Sequence, residues 1–449
     1  MNNKNKIALV TLGCEKNLVD SEIMLGLIEE KGYQITDIEE DAEVIIVNTC
    51  GFIDASKEES INTILDLADL KVTAKLKSLI VTGCLSQRYK EDLMNEMPEI
   101  DGLVGTGDFE KIIDVINATL NGKKQVMVGN PIFSYEKRLP RKRSTPSHTA
   151  YIKIAEGCDN TCTFCVIPAL RGKFRSRSIP SIIEEARIMV SEGVKEISLI
   201  AQDTTNYGMD LYGEIRLPQL LHELGEIDGL QWLRLHYMYP GYITDELIEQ
   251  FVNNSKLCKY IDIPLQHSED HLLKKMLRPG QQTDIRQLIT KLRAKIPGVA
   301  LRTSIIVGFP GETAEDFNNL LAFVKEIKFD RLGVFTFSEE ENTPAAKLPN
   351  KVPQELKEMR AQILMETQRE IARQKNEMYI GKILRVIIDR YDEVGKVYVA
   401  RTAFDAPEID GEVFISNIDG NIGDIIEVKI THSYDFDLVG EGIKNEFSK

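Results

Sequence analysis

Short apolar runs alternating with amphipathic stretches open the chain. The runs at 7–10, 44–47 and 79–81 are rich in β-branched residues, too short for helices and bounded by polar turns, so they predict buried parallel strands. Helical spacing of apolar residues follows each run, as over 19–31, where Gly32 offers a C-cap. The alternation predicts a doubly wound α/β domain over residues 1–136.

A basic stretch at 137–143, flanked by Pro140 and Pro146, then reads as a solvated linker. Six more strand candidates lie beyond it, at 151–155, 196–201, 232–236, 260–264, 301–307 and 331–337, with helical stretches between. Six βα units predict a partial (β/α)6 barrel over 137–379, two strands short of the closed form, with its site at the C-terminal strand ends. A long polar helix, 353–379, leads out of it. From 380 to 449 short alternating runs, such as 382–388, 397–399 and 425–430, are broken by Gly and Asp and predict a small antiparallel β-barrel.

Composition narrows the chemistry. No run approaches the roughly 20 apolar residues of a membrane span, so the expectation is a cytoplasmic chain with no membrane association. Seven cysteines, an odd number, argue for reduced thiols with a ligand or catalytic use rather than a disulfide framework. A formal charge of −15 disfavours broad attachment to a phosphate backbone, and no direct nucleic-acid substrate is expected. Residues 380–449 carry 8 Lys or Arg against 14 Asp or Glu, a net of −6, which suits docking of a basic protein.

Three of the thiols, Cys158, Cys162 and Cys165, fall within eight residues, on a loop straight after the first barrel strand. A structural zinc site takes four closed ligands, and no fourth Cys or His lies nearby, the next upstream histidine being His148. Three thiolates on an iron-sulfur cluster leave one iron open, which S-adenosylmethionine can chelate through its amino and carboxylate groups. Cys14, Cys50 and Cys84 each follow one of the N-terminal apolar runs, so parallel strands would bring them to one sheet edge. Their neighbours Gly13, Gly51 and Gly83 would let the backbone approach a bulky cluster. Three buried, unligated cysteines are the alternative, and Cys258, alone before a strand, is read that way.

The Cys158-Asp159-Asn160-Thr161-Cys162-Thr163-Phe164-Cys165 segment resembles the radical S-adenosylmethionine superfamily, in which the aromatic position, here Phe164, lies beside the adenine. From end to end the chain resembles the methylthiotransferase family of that superfamily: an N-terminal domain with three cluster cysteines, a radical barrel, and a C-terminal TRAM module. One branch modifies an adenosine of transfer RNA, another an aspartate of ribosomal protein S12. Leu12-Gly13-Cys14-Glu15-Lys16-Asn17-Leu18-Val19-Asp20-Ser21-Glu22 resembles the second, since the tRNA branch typically has Gln-Met-Asn after the cysteine. The segments 154–158, 263–267 and 337–346 agree, as does the acidic C-terminal module.

The resemblance implies two 4Fe-4S clusters, one on Cys158, Cys162 and Cys165 that chelates S-adenosylmethionine, and an auxiliary one on Cys14, Cys50 and Cys84. It also implies a deoxyadenosyl radical that takes hydrogen from the aspartate β-carbon, followed by transfer of a methylthio group from sulfur on the auxiliary cluster. S-adenosylmethionine is then both radical source and methyl donor. The partners implied are ribosomal protein S12, free or in the 30S subunit, and an electron donor such as flavodoxin or ferredoxin. Position along the barrel nominates Gln202, Asp203, His236, Gln266, His267 and Gly308 as further cofactor contacts. For the two histidines, a polar side chain satisfied at the barrel rim is the alternative. The run 304–312 only loosely resembles an adenine-contacting motif, and a Pro-Gly turn after a strand explains it equally. Two other functions stay open: tRNA methylthiolation by the same chemistry, and a non-catalytic iron-sulfur or zinc module.

Overall fold

The computed structural model describes residues 5–278, 282–416, 418 and 420–443; the outermost parts of the expected terminal domains, 1–4 and 444–449, lie outside these. The first sheet has six parallel strands in the order Gln34–Ile35, Lys6–Thr11, Val44–Thr49, Ser78–Gly83, Gly102–Val104, Gln125–Met127. The three apolar runs are its adjacent central members. Val44–Thr49 and Ser78–Gly83 are buried at every position, as strands covered on both faces must be. Apolar pattern points to none of the other three, which are two or three residues long and are revealed only by pairing.

The first helix, Glu15–Glu30, starts directly after Cys14 rather than at 19. Lys16 and Asn17 are polar yet buried, so tertiary contacts, not periodicity, extend it. The basic linker departs from expectation too. Arg141, with its side chain 8% exposed, pairs with Glu22 at 2.5 Å and Glu185 at 2.8 Å, and Lys142 pairs with Glu29 at 2.7 Å. It is a clasp between the first two domains and not simply solvated.

All six expected barrel strands are present. Thr149–Lys153, Glu196–Ile200 and Trp232–Leu235 pair in parallel, as do Tyr260–Asp262, Ala300–Val307 and Arg331–Thr336. A bridge from Leu233 to Leu257 joins the two halves. No pairing among the described residues joins the first strand to the last. The helix Gln354–Glu377 packs on the last strand, and Glu15–Glu30 on the first.

Five strands, Ile383–Asp392, Val397–Thr402, Val413–Ser416, Ile425–Ser433 and Leu438–Gly442, form a closed C-terminal barrel. Four of its pairings are antiparallel; Val413–Ser416 and Leu438–Gly442 pair in parallel. Its Ile387 and Ala406 pack on Trp232, Tyr260 and Ala300, each the first residue of a central-barrel strand. The module therefore plugs the N-terminal face of the central barrel, opposite the cysteine loops. Asp389, Asp405, Asp410 and Asp424 are engaged there by Arg401, Arg331, Arg302 and Lys195. Part of the acidity that suggested docking of a basic protein is thus used within the chain.

Candidate active site between two cysteine triads

Cys14, Cys50 and Cys84 end three adjacent parallel strands, whose carboxyl ends align along one edge. Gly13 has φ +88°, and a Cβ there would lie 2.9 Å from Cys50 Cβ and 3.3 Å from its Sγ. At Gly51 a Cβ would meet the Cys84 backbone at 2.9 Å; at Gly83, with φ +93°, it would meet Asn48 Oδ1 at 2.4 Å. What these glycines admit is the neighbouring cysteine loop, a narrower reason than room for a cluster. Cys14 is exposed, Cys50 half-buried and Cys84 buried, so the set opens outward at Cys14.

The second set lies on a loop tied down at several points. Cys158 N–H donates to Gly172 O at 3.1 Å, Thr163 N–H to Met276 O at 3.1 Å, and Asn160 Nδ2 to Asp203 Oδ2 at 2.9 Å. Arg278 Nη1 lies 3.7 Å from Cys162 Sγ. His148 is held 2.9 Å from Asp389, against the C-terminal barrel, and is no partner of this loop.

Burial raises the thiols of Cys50 and Cys158, pushes Cys84 up to about 11, and pushes Cys165 up to about 12. Within each set the thiols raise one another further: Cys14 acts on Cys50 and Cys84, and Cys162 on Cys158 and Cys165. Yet among the described residues no three Cys, His, Asp or Glu side chains close on a single ion. Thiolates on an iron-sulfur cluster each ligate a different iron, and ligation of that kind would release the protons that burial retains.

The other nominated residues ring the same barrel end. Asp203 is buried and accepts from Thr205 N and Oγ1 at 3.1 and 2.6 Å, besides Asn160. Gln202 Nε2 donates to Glu156 Oε1 at 2.5 Å. His236 is buried with neither ring nitrogen partnered, and burial lowers it to about 4, so its ring is neutral at pH 7. It is therefore not the satisfied rim histidine of the alternative reading. His267 Nδ1 accepts from Glu269 N at 3.0 Å, while its Nε2 is unpartnered, 3.6 Å from Glu312. Tyr237 and Gln266, beside these histidines, have φ of +58° and +74°, a strain that non-glycine residues rarely carry. Phe164 packs on an apolar cluster containing Met276, Ile306 and Phe309. Gly308 N–H donates to Glu312 at 2.6 Å, and Glu312 pairs with Arg360 at 2.7 Å, which closes the turn after the fifth barrel strand.

Sequence reading missed the charged groups that join the domains here. Asp20, Lys153, Glu156 and Arg171 form a buried square with contacts of 2.6 to 3.2 Å. Lys16 Nζ sits 3.2 Å above the Tyr237 ring, and Tyr237 OH donates to Glu15 at 2.8 Å. Burial alone would raise Glu15, but Lys16, His236 and Tyr237 together bring it down to about 2. Glu340 takes Arg88 at 2.7 Å and Lys57 at 3.0 Å, and Arg88 also donates to Gly51 O at 2.9 Å. A charge inside an otherwise apolar strand, as at Lys153, was the available signal.

Three family models match successive parts of the chain: Uncharacterized protein family UPF0004 over residues 6–105, the Radical SAM superfamily over 152–324, and the TRAM domain over 380–443. A solved radical S-adenosylmethionine methyltransferase, TsrM from Kitasatospora setae, superposes with a TM-score of 0.55 over 76% of this chain and 74% of its own, at 13% identity, a likeness of fold. Curated relatives called ribosomal protein uS12 methylthiotransferase RimO are far closer in sequence. The one from Desulforamulus reducens is 52% identical over 97% of this chain and 99% of its own, and that from Geotalea uraniireducens 51% over 98% of each. The Clostridioides difficile relative is 50% identical over 97% of this chain and 98% of its own. With about half its residues shared along nearly its whole length, the chain is a radical S-adenosylmethionine methylthiotransferase and belongs to the RimO family.

Proposed function

We propose that the enzyme methylthiolates the β-carbon of one aspartate of ribosomal protein S12, in the cytoplasm, with domains bounded at 1–136, 137–379 and 380–449. Cys158, Cys162 and Cys165 would hold the 4Fe-4S cluster that chelates S-adenosylmethionine, and Cys14, Cys50 and Cys84 an auxiliary one. When bound, these groups would supply a carbon-centred radical able to take an unactivated hydrogen, and a methylated sulfur to follow it.

The chain's own residues do the rest. Asn160 and Asp203 fix the cysteine loop to the second strand end, and Gln202 with Glu156 walls the space beside it. His236, neutral and unpartnered, is free to accept or donate one hydrogen bond to whatever enters. Lys16, two residues after Cys14, is held over the Tyr237 ring and paired with Glu15 at 3.5 Å, which braces the start of the first helix against the barrel.

The observation that carries the reading is that Cys14, Cys50 and Cys84 follow three adjacent parallel strands and Cys84 packs against Val166 and Leu170, just beyond the barrel's cysteine loop, in a chain half-identical to RimO relatives. Mass analysis of ribosomal proteins and tRNA from cells with and without the gene tests it. Loss of a methylthio mass from protein S12 alone is expected; loss confined to tRNA would overturn the substrate. Anaerobic reconstitution should give about eight irons per chain, and about four once Cys158, Cys162 and Cys165 are replaced by Ala.

A further inference from the structure

We infer that Arg171 is a positioning residue that locks the Cys14, Cys50 and Cys84 triad against the barrel triad and holds a positive charge close to the former; this rests on the cluster assignments proposed above. Arg171 ends the short helix Ile167–Arg171, which begins two residues after Cys165. Its side chain is 2% exposed. Nη1 donates to Asp20 Oδ2 at 2.8 Å and to Glu156 Oε2 at 3.2 Å, and Nη2 donates to Asn17 Oδ1.

Those partners belong to both triads. Asn17 and Asp20 lie on the helix that starts after Cys14, and Glu156 stands two residues before Cys158. Asn17 Nδ2 in turn donates to Leu12 O at 2.9 Å and Thr49 O at 3.0 Å, the residues leading into Cys14 and Cys50, and its Oδ1 lies 4.0 Å from Cys84 Sγ. One amide therefore passes the guanidinium's position to all three cysteines. Lys153 closes the other side, 2.6 Å from Asp20 and 2.8 Å from Glu156. Its Nζ also meets Tyr135 OH at 2.6 Å. Two cations and two carboxylates offset one another within the square, and Arg171 is the cation on the Cys84 side: its Nη2 and Cys84 Sγ both approach Asn17 Oδ1. In so dry a setting charges act strongly and the square resists shearing. A radical made at one site and quenched at another needs that fixed spacing.

The test isolates the auxiliary cluster in the full chain by replacing Cys158, Cys162 and Cys165 with Ala, then follows its reduction by electron paramagnetic resonance in a redox titration. Arg171→Gln should disfavour reduction at least tenfold, about 59 mV for one electron. Asp20→Asn, which removes a neighbouring anion, should favour it, and Arg171→Lys should stay near the parent. General loosening of the fold would move Arg171→Gln and Asp20→Asn the same way; that result, or no movement in either, overturns the inference. If Arg171→Gln does not fold, an unmoved Asp20→Asn still overturns it. A parent without iron would instead overturn the cluster assignment, and the inference with it.

Discussion

Cys84 and Cys258 are both buried, and burial pushes both thiols up to about 11. Neither exposure nor acidity tells them apart; their company does. Cys84 acts with Cys14 and Cys50, whereas Cys258 packs among Trp232, Tyr260, Ala300 and Ile387 and feels Arg234 and Glu196. Cys258→Ala should therefore cost stability, about 1–2 kcal/mol in urea titration, and leave the iron content of reconstituted protein unchanged. Cys84→Ala should remove about four irons and spare reductive cleavage of S-adenosylmethionine. An iron loss in Cys258→Ala equal to that in Cys84→Ala would refute the distinction.

At the scale of elements, the N-terminal triad depends on the turns that end its strands. Gly83, at φ +93° and ψ −153°, caps the helix Cys84–Tyr89 in a region essentially reserved for glycine. A Cβ there would press on Asn48 Oδ1 and, at 2.5 Å, on Thr49 O, the residue before Cys50. Gly83→Ala should cost more than about 1–3 kcal/mol and displace Cys84 relative to Cys50. The expected readout is about four irons after reconstitution with cleavage of S-adenosylmethionine preserved. The strand and glycine positions around this triad were legible because each apolar run is followed within a few residues by adjacent Gly and Cys, in either order. The start of Glu15–Glu30 was not, because its first turn is polar and becomes buried only through tertiary contacts, Lys16 on Tyr237 and Asn17 on Leu12, Thr49 and Arg171.

For the whole molecule, the join between the central and C-terminal barrels centres on Glu196. It pairs with Arg401 at 2.7 Å and Arg234 at 3.0 Å. Burial would raise its pKa, but the two guanidinium groups outweigh that and bring it from 4.5 down to about 2. A carboxylate lowered on folding contributes stability in full above its unfolded value near 4.5, and that contribution is lost as pH falls toward 2. Glu196→Gln leaves the buried Arg234 facing a neutral amide and Arg401 with Asp389 as its carboxylate, and should cost about 3 kcal/mol at pH 7. The difference between variant and parent in urea midpoint should shrink as pH is lowered below about 4.5. A difference that stays constant would show that Glu196 acts through shape and not charge.

The sequence by itself determined the three-part order and the six barrel strands, and placed one group of thiols on a single loop and three more just after three adjacent strands, because strand length, period and cysteine spacing are local properties. Tertiary structure alone decided what lies between those sets and where the acidic module sits. Asp20 lies 133 residues before Lys153, with Glu156 and Arg171 further on, and an ion-pair square leaves no periodic trace. Likewise, counting charges over 380–449 could not reveal that Asp389, Asp405, Asp410 and Asp424 face cations inside the molecule, since charge is summed along sequence while pairing is set by distance.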